Sequence, residues 1–120
     1  MTWTTIRLEL ASSPAFPKGS VARSYVLRLP LGDDGVIDEP AYRAHPELAT
    51  ARRFWPNEPD RHGSLLRTAE GWALSYAPGK EDDERLFRLD AQVIRAGNMI
   101  MLIEPDGAAL PFLVKALAAA

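Results

Sequence analysis

Ser20 to Leu31 reads SVARSYVLRLPL, and how this run is read decides the fold. Val21, Tyr25, Leu27 and Leu29 fall on one side of an extended chain while Arg28 falls on the other, the period-two alternation of a strand with one face in a core and one in water. Pro30 cannot donate to a continuing ladder, and GDDG at 32–35 is rich in turn formers, so the strand stops there. The stretch before it repeats the pattern with Ile6, Leu8 and Leu10 against Arg7 and Glu9, until Pro14 and Pro17 end it. The two segments are expected to pair as a hairpin.

The same period governs the second half. LLRT and WALSY flank AEG, where Gly71 can supply the positive φ that closes a tight turn. Pro78, Gly79 and KEDDE (80–84) read as a solvated loop. Phe87, Leu89, Ala91 and Val93 alternate with Arg88, Asp90 and Gln92 as a strand, and RAGN turns the chain into MIMLI (99–103). MIMLI is apolar on both faces and is expected to be central or covered on both sides. EPDG has the order of a type I turn. Leu110, Phe112 and Val114 form the last strand, with the final alanines frayed.

Between Val36 and Gly63 the pattern is irregular. Asp38 can cap a short helix with Pro40 in its first turn, and Pro46 should break it by biasing His45 away from helical backbone. Residues 50–55, TARRFW, fit either helix or strand. Six or seven strands with short turns and no long amphipathic helix point to an all-β fold: a small antiparallel barrel or roll, with one or two short helical turns in the 38–55 region. Closure removes the apolar sheet edges that would otherwise invite association.

Composition bounds the function. The 120 residues are ordinary globular material, 47% hydrophobic and 25% charged, suited to a single domain over 1–120. A net charge of -2 argues against a nucleic-acid partner held by general electrostatic attraction. The absence of cysteine excludes disulfides, thiolate nucleophiles and cysteine-ligated metals. No basic start precedes an apolar run and MIMLI is far too short to span a bilayer, so a cytoplasmic protein with no membrane partner is expected. The excess of arginine over lysine, together with abundant alanine, suggests a bacterial origin.

The chemically crowded stretch is ARRFWPNEPDRHG, residues 51–63. Arg52, Arg53 and Arg61 offer guanidinium forks for carboxylate or phosphate, Trp55 and Phe54 offer flat stacking surfaces, and His62 lies beside them. Arg52, Arg53, Trp55, Arg61 and His62 are therefore the candidate binding residues for an anionic small molecule or a protein partner, expected to converge on one concave surface of a non-enzymatic binding module. The competing structural reading has Phe54 and Trp55 plugging one end of the core while the arginines pair with Glu58 and Asp60.

A second functional reading is a small enzyme in which His45 or His62 works beside Glu58 or Asp60. A third is a structural protein whose MIMLI or final strand lies in a homodimer interface. No catalytic residue, metal ligand or cofactor is assigned. The histidines lie far apart with prolines between them, GDDGVIDE lacks the ligands of a calcium loop, no nucleophile elbow surrounds Ser64, and no glycine-rich phosphate loop exists. Arginines 23, 28, 67, 85, 88 and 95 recur on or beside strands and are expected to coat the outer wall.

Overall fold

The structure, a computed structural model, describes residues 1–76, 83–86, 89 and 92–120. It is a closed antiparallel barrel of eight strands in sequence order, each bonded to the next and β8 closing on β1. The strands are β1 (Thr2–Leu10), β2 (Ser20–Leu31), β3 (Thr50–Phe54), β4 (Arg61–Thr68), β5 (Gly71–Ser75), β6 (Glu84–Leu86), β7 (Met99–Ile103) and β8 (Ala109–Ala119). The all-β class, the closure and the absence of a long helix among the described residues match the expectation; the eight strands exceed the six or seven expected. TARRF resolved as β3, and RHG, assigned to the irregular excursion, opens β4. What remains irregular there is short.

The alternation fills the barrel. Ile6, Leu8, Tyr25, Leu27, Leu29, Leu65, Trp72, Leu74, Ile100 and Phe112 are all at most 2% exposed. Eight strands enclose an interior just wide enough for side chains to fill, so space for a ligand is left at an end of the barrel rather than along its axis. One end is sealed. Asp38 Oδ1 accepts from the Ala41 N–H at 3.0 Å and caps α1 (Glu39–Ala44), with Pro40 in its first turn, and the chain then makes a single 3₁₀ turn over Pro46–Leu48. This places Tyr42 edge-on to Trp72 at 4.7 Å, its hydroxyl donating to the Leu65 carbonyl. A two-residue turn joins β4 to β5 nearby, and Gly71, at φ 127°, holds a backbone conformation that a side chain would strain.

Five local readings are corrected. Val21 is 70% exposed, because pairing jumps from Glu9↔Ser24 to Leu10↔Ser20 and the bulge throws Val21 out of the alternation. Within the span 87–93, residues 87, 88, 90 and 91 lie outside the described residues; the strand here is Glu84–Leu86, with Leu89 buried and Val93 exposed. Of the loop expected over Pro78, Gly79 and KEDDE, residues 78–82 lie outside the described residues, and Glu84 is not solvated: it begins β6 and is 3% exposed. MIMLI is covered on one face only: Ile100 and Leu102 are buried, but Met99 is exposed and Met101 and Ile103 are half-buried on the outer wall. Finally, the last alanines do not fray. Thr4 pairs with Ala119 and Thr5 with Ala118, so the C-terminus makes the seam that closes the barrel. Arg28, Arg67, Arg85 and Arg95 are exposed as expected, Arg23 is half-buried, and Arg88 lies outside the described residues.

Candidate ligand site at the open end of the barrel

Continuing each strand's inward parity toward the end opposite α1 turns the interior from apolar to polar. Above Leu27 on β2 comes Tyr25; above Ala51 on β3 comes Arg53; below Leu86 on β6 comes Glu84; beyond Leu102 on β7 comes Glu104. Tyr25 pairs in register with Arg53, and Arg53 with Arg61, so these side chains ring one mouth.

Glu84 is the hub. Its carboxylate accepts from the Tyr25 hydroxyl at 2.7 Å and from the Tyr76 hydroxyl at 2.9 Å, one on each oxygen. The Arg53 Nε–H donates to the Tyr25 oxygen at 3.3 Å and lies 3.9 Å from Glu84, while its Nη1 donates to Glu58 at 3.2 Å. The Arg53 guanidinium also lies over the Trp55 ring, 4.0 Å from its centroid. A buried carboxylate and a buried guanidinium are costly unless their hydrogen-bonding capacity is filled, and here it is filled by phenols and opposite charge.

The titration behaviour follows. Burial pushes the Tyr25 phenol far up, with the charge and hydrogen bond of Glu84 adding to it; Tyr76 is pushed up first by burial and then by Tyr25 and Glu84. Both stay neutral donors throughout the ordinary pH range. Burial works against the Arg53 charge, but Tyr25, Glu84 and Glu58 outweigh it and hold the guanidinium protonated.

Beside this network lies an open cavity of about 210 Å³ lined by Arg53, Arg61, Glu84, Glu104 and Pro105. Arg61 and Glu104 are its less committed members. Arg61 lies 3.8 Å from Glu58 and 5.9 Å from the Tyr76 ring centroid. Among the described residues the Glu104 carboxylate has no hydrogen bond or ion pair. Its pKa is raised, first by burial and then by the charges of Glu84 and Asp106. A larger groove of about 430 Å³ shares Glu104 and Pro105 but runs over the outer wall past Ala73 and Arg85. The mouth is the better site because its charged groups are held by a buried network, whereas the groove is walled by an exposed hairpin tip.

The five candidate residues divide by parity. Arg53, Trp55 and Arg61 come to the mouth, with Trp55 partly buried against the core. Arg52 and His62 pair with each other across β3 and β4 on the outer wall, Arg52 lying over Phe54 at 5.1 Å. The structural reading is realised in part: Arg53 and Arg61 both reach Glu58 and Trp55 packs against the core, but Asp60 makes no ion pair among the described residues and Phe54 lies beside Arg52. His45 lies 3.3 Å from Glu47 on the surface, away from His62, and no group of three metal-ligating side chains occurs among the described residues. Among those residues no helix is long and apolar enough to cross a membrane.

Sequence reasoning missed Tyr25 and Tyr76 as polar donors, Glu84 as a buried acid, and Glu104. A signal was present for the two acids: Glu84 shares the parity of Leu86, and Glu104 that of Ile100 and Leu102. No family model, curated protein or solved structure matches the chain.

Proposed function

We propose that this protein is a non-enzymatic binding module that holds a small molecule by its anionic group at the open mouth of the barrel. The observation that carries the reading is the pairing of Arg61 with the deeply held Arg53 on one cavity. Arg53 is pre-positioned by Tyr25, Glu58, Glu84 and Trp55, so little side-chain freedom is lost when a ligand arrives. Arg61, exposed and only loosely paired with Glu58 at 3.8 Å, offers its fork to a carboxylate or phosphate. Catalysis has less support: Glu84 is saturated by two phenols, and neither histidine lines the cavity.

The test is a thermal-shift titration with inorganic phosphate and short carboxylates, since a ligand that binds only the folded chain raises its midpoint. Arg61→Gln should abolish the rise and Arg52→Gln, on the outer wall, should leave it intact. Equal loss in both variants, or none in either, would refute the site.

A further inference from the structure

An anionic group alone leaves part of the charge around the mouth unanswered. Two guanidiniums, Arg53 and Arg61, face three carboxylates, Glu58, Glu84 and Glu104, and an anion alone would leave the site with more negative charge than it began with. The carboxylates differ in what they have left to offer. Glu58 is engaged by Arg53 and Arg61, and Glu84 by Tyr25 and Tyr76. Glu104 lines the same cavity as Arg61 and, among the described residues, carries no partner. A donor to Glu104 and an acceptor for Arg61 are thus wanted within one small volume. That volume, about 210 Å³, corresponds to about seven waters at ~30 Å³ each, which sets the ligand at a similar number of heavy atoms.

Resting on the binding reading above, we infer that the mouth takes a zwitterion of free amino-acid size, its carboxylate on Arg61 and the outer edge of Arg53, its ammonium on Glu104. Pro105 supplies the apolar contact between the two charged ends. The raised pKa of Glu104 is consistent with this, because burial first and then the charges of Glu84 and Asp106 disfavour its charged form, which an arriving cation favours.

The experiment is amide-resolved NMR titration of the full chain with three matched probes: norvaline, pentanoate and butylamine. At about pH 7.5, where norvaline is zwitterionic, it should bind about tenfold or more tighter than either half-probe, the worth of one charge-assisted contact. The shifts should map to Arg53, Trp55, Arg61 and Glu104. Glu104→Gln should cost norvaline that advantage and leave pentanoate unweakened. Lowering the pH through the Glu104 titration should weaken norvaline, since protonation removes the attraction for its ammonium. Pentanoate binding as tightly as norvaline, with Glu104→Gln indifferent, overturns the zwitterion inference and leaves the anion site standing. If none of the probes, nor phosphate, moves the mouth amides up to its solubility, the inference and the binding reading fall together.

Discussion

Replacing Arg53 by methionine keeps a long apolar stem against Trp55 and removes the charge, so the variant isolates what the guanidinium contributes. Three contacts are lost. The hydrogen bond to Tyr25 has a charged donor but is long, at 3.3 Å, which sets it near the lower end of the roughly 1.5–3 kcal/mol of such bonds. The pair with Glu58 reaches a carboxylate 38% exposed and is discounted for solvent to about 0–1 kcal/mol. The stack on Trp55 contributes about 0.5–1 kcal/mol at a partly wet site. Glu84 then stays buried with its arginine gone but its two phenols in place, which keeps the total below the roughly 3–5 kcal/mol of a fully orphaned buried charge. The expected loss is about 2–3 kcal/mol, or about 8–12 °C in midpoint for a chain of this size. Urea unfolding followed by tryptophan fluorescence measures it, and an unchanged m-value certifies that stability alone moved. Adding Glu84→Gln should recover part of the loss, because the acid no longer needs a counter-charge. A loss under about 0.5 kcal/mol would show that the mouth network does not hold the barrel end together, and with it the claim that Arg53 is pre-positioned.

Three further outcomes follow from the same geometry. A methyl at Gly63 would meet the Ser75 carbonyl oxygen at 2.3 Å and the Tyr76 ring at 2.8 Å, so Gly63→Ala should destabilise by about 1–3 kcal/mol and loosen Tyr76 from Glu84, read as easier ionisation of one tyrosine in an ultraviolet pH titration. Removing residues 116–120 strips the partners of Thr4 to Arg7, and amide exchange there should accelerate while β4 and β5 stay protected. Glu104 has a folded-state pKa above its unfolded one, so its contribution to stability is present at acid pH and lost as pH rises through the folded value. Glu104→Gln should therefore match the parent below about pH 4 and exceed it in midpoint near about pH 7.

The fold was largely legible because its cause is local. Alternation in β1, β2 and β8, the Asp38 cap and the break at Pro46 are each written within a few residues. TARRFW stayed ambiguous because six residues satisfy both periods, and only pairing with β2 and β4 selects strand. Val21 and the terminal alanines were misread for a non-local reason: a bulge and a closing seam depend on which strand comes alongside. The site was half legible. Arg53, Trp55 and Arg61 share a parity that the sequence contains, and applying it would have set Arg52 and His62 on the other wall. Tyr25 and Glu84 were hidden by distance, being 59 residues apart, and a charged residue at an inward position shows its role only once its partners are in view.

The partition of arginines by strand parity is the central claim, and the chain's lack of cysteine permits a direct test. Single cysteines placed at Thr50, Ala51, Arg52 and Arg53 can be labelled with a thiol reagent under native conditions. Labelling should be fast at 50 and 52, negligible at 51, and slow at 53, following outer wall, core, outer wall and mouth. Equal rates at 52 and 53 would mean that neighbouring arginines do not take opposite faces of the wall, and the mouth site would go with them.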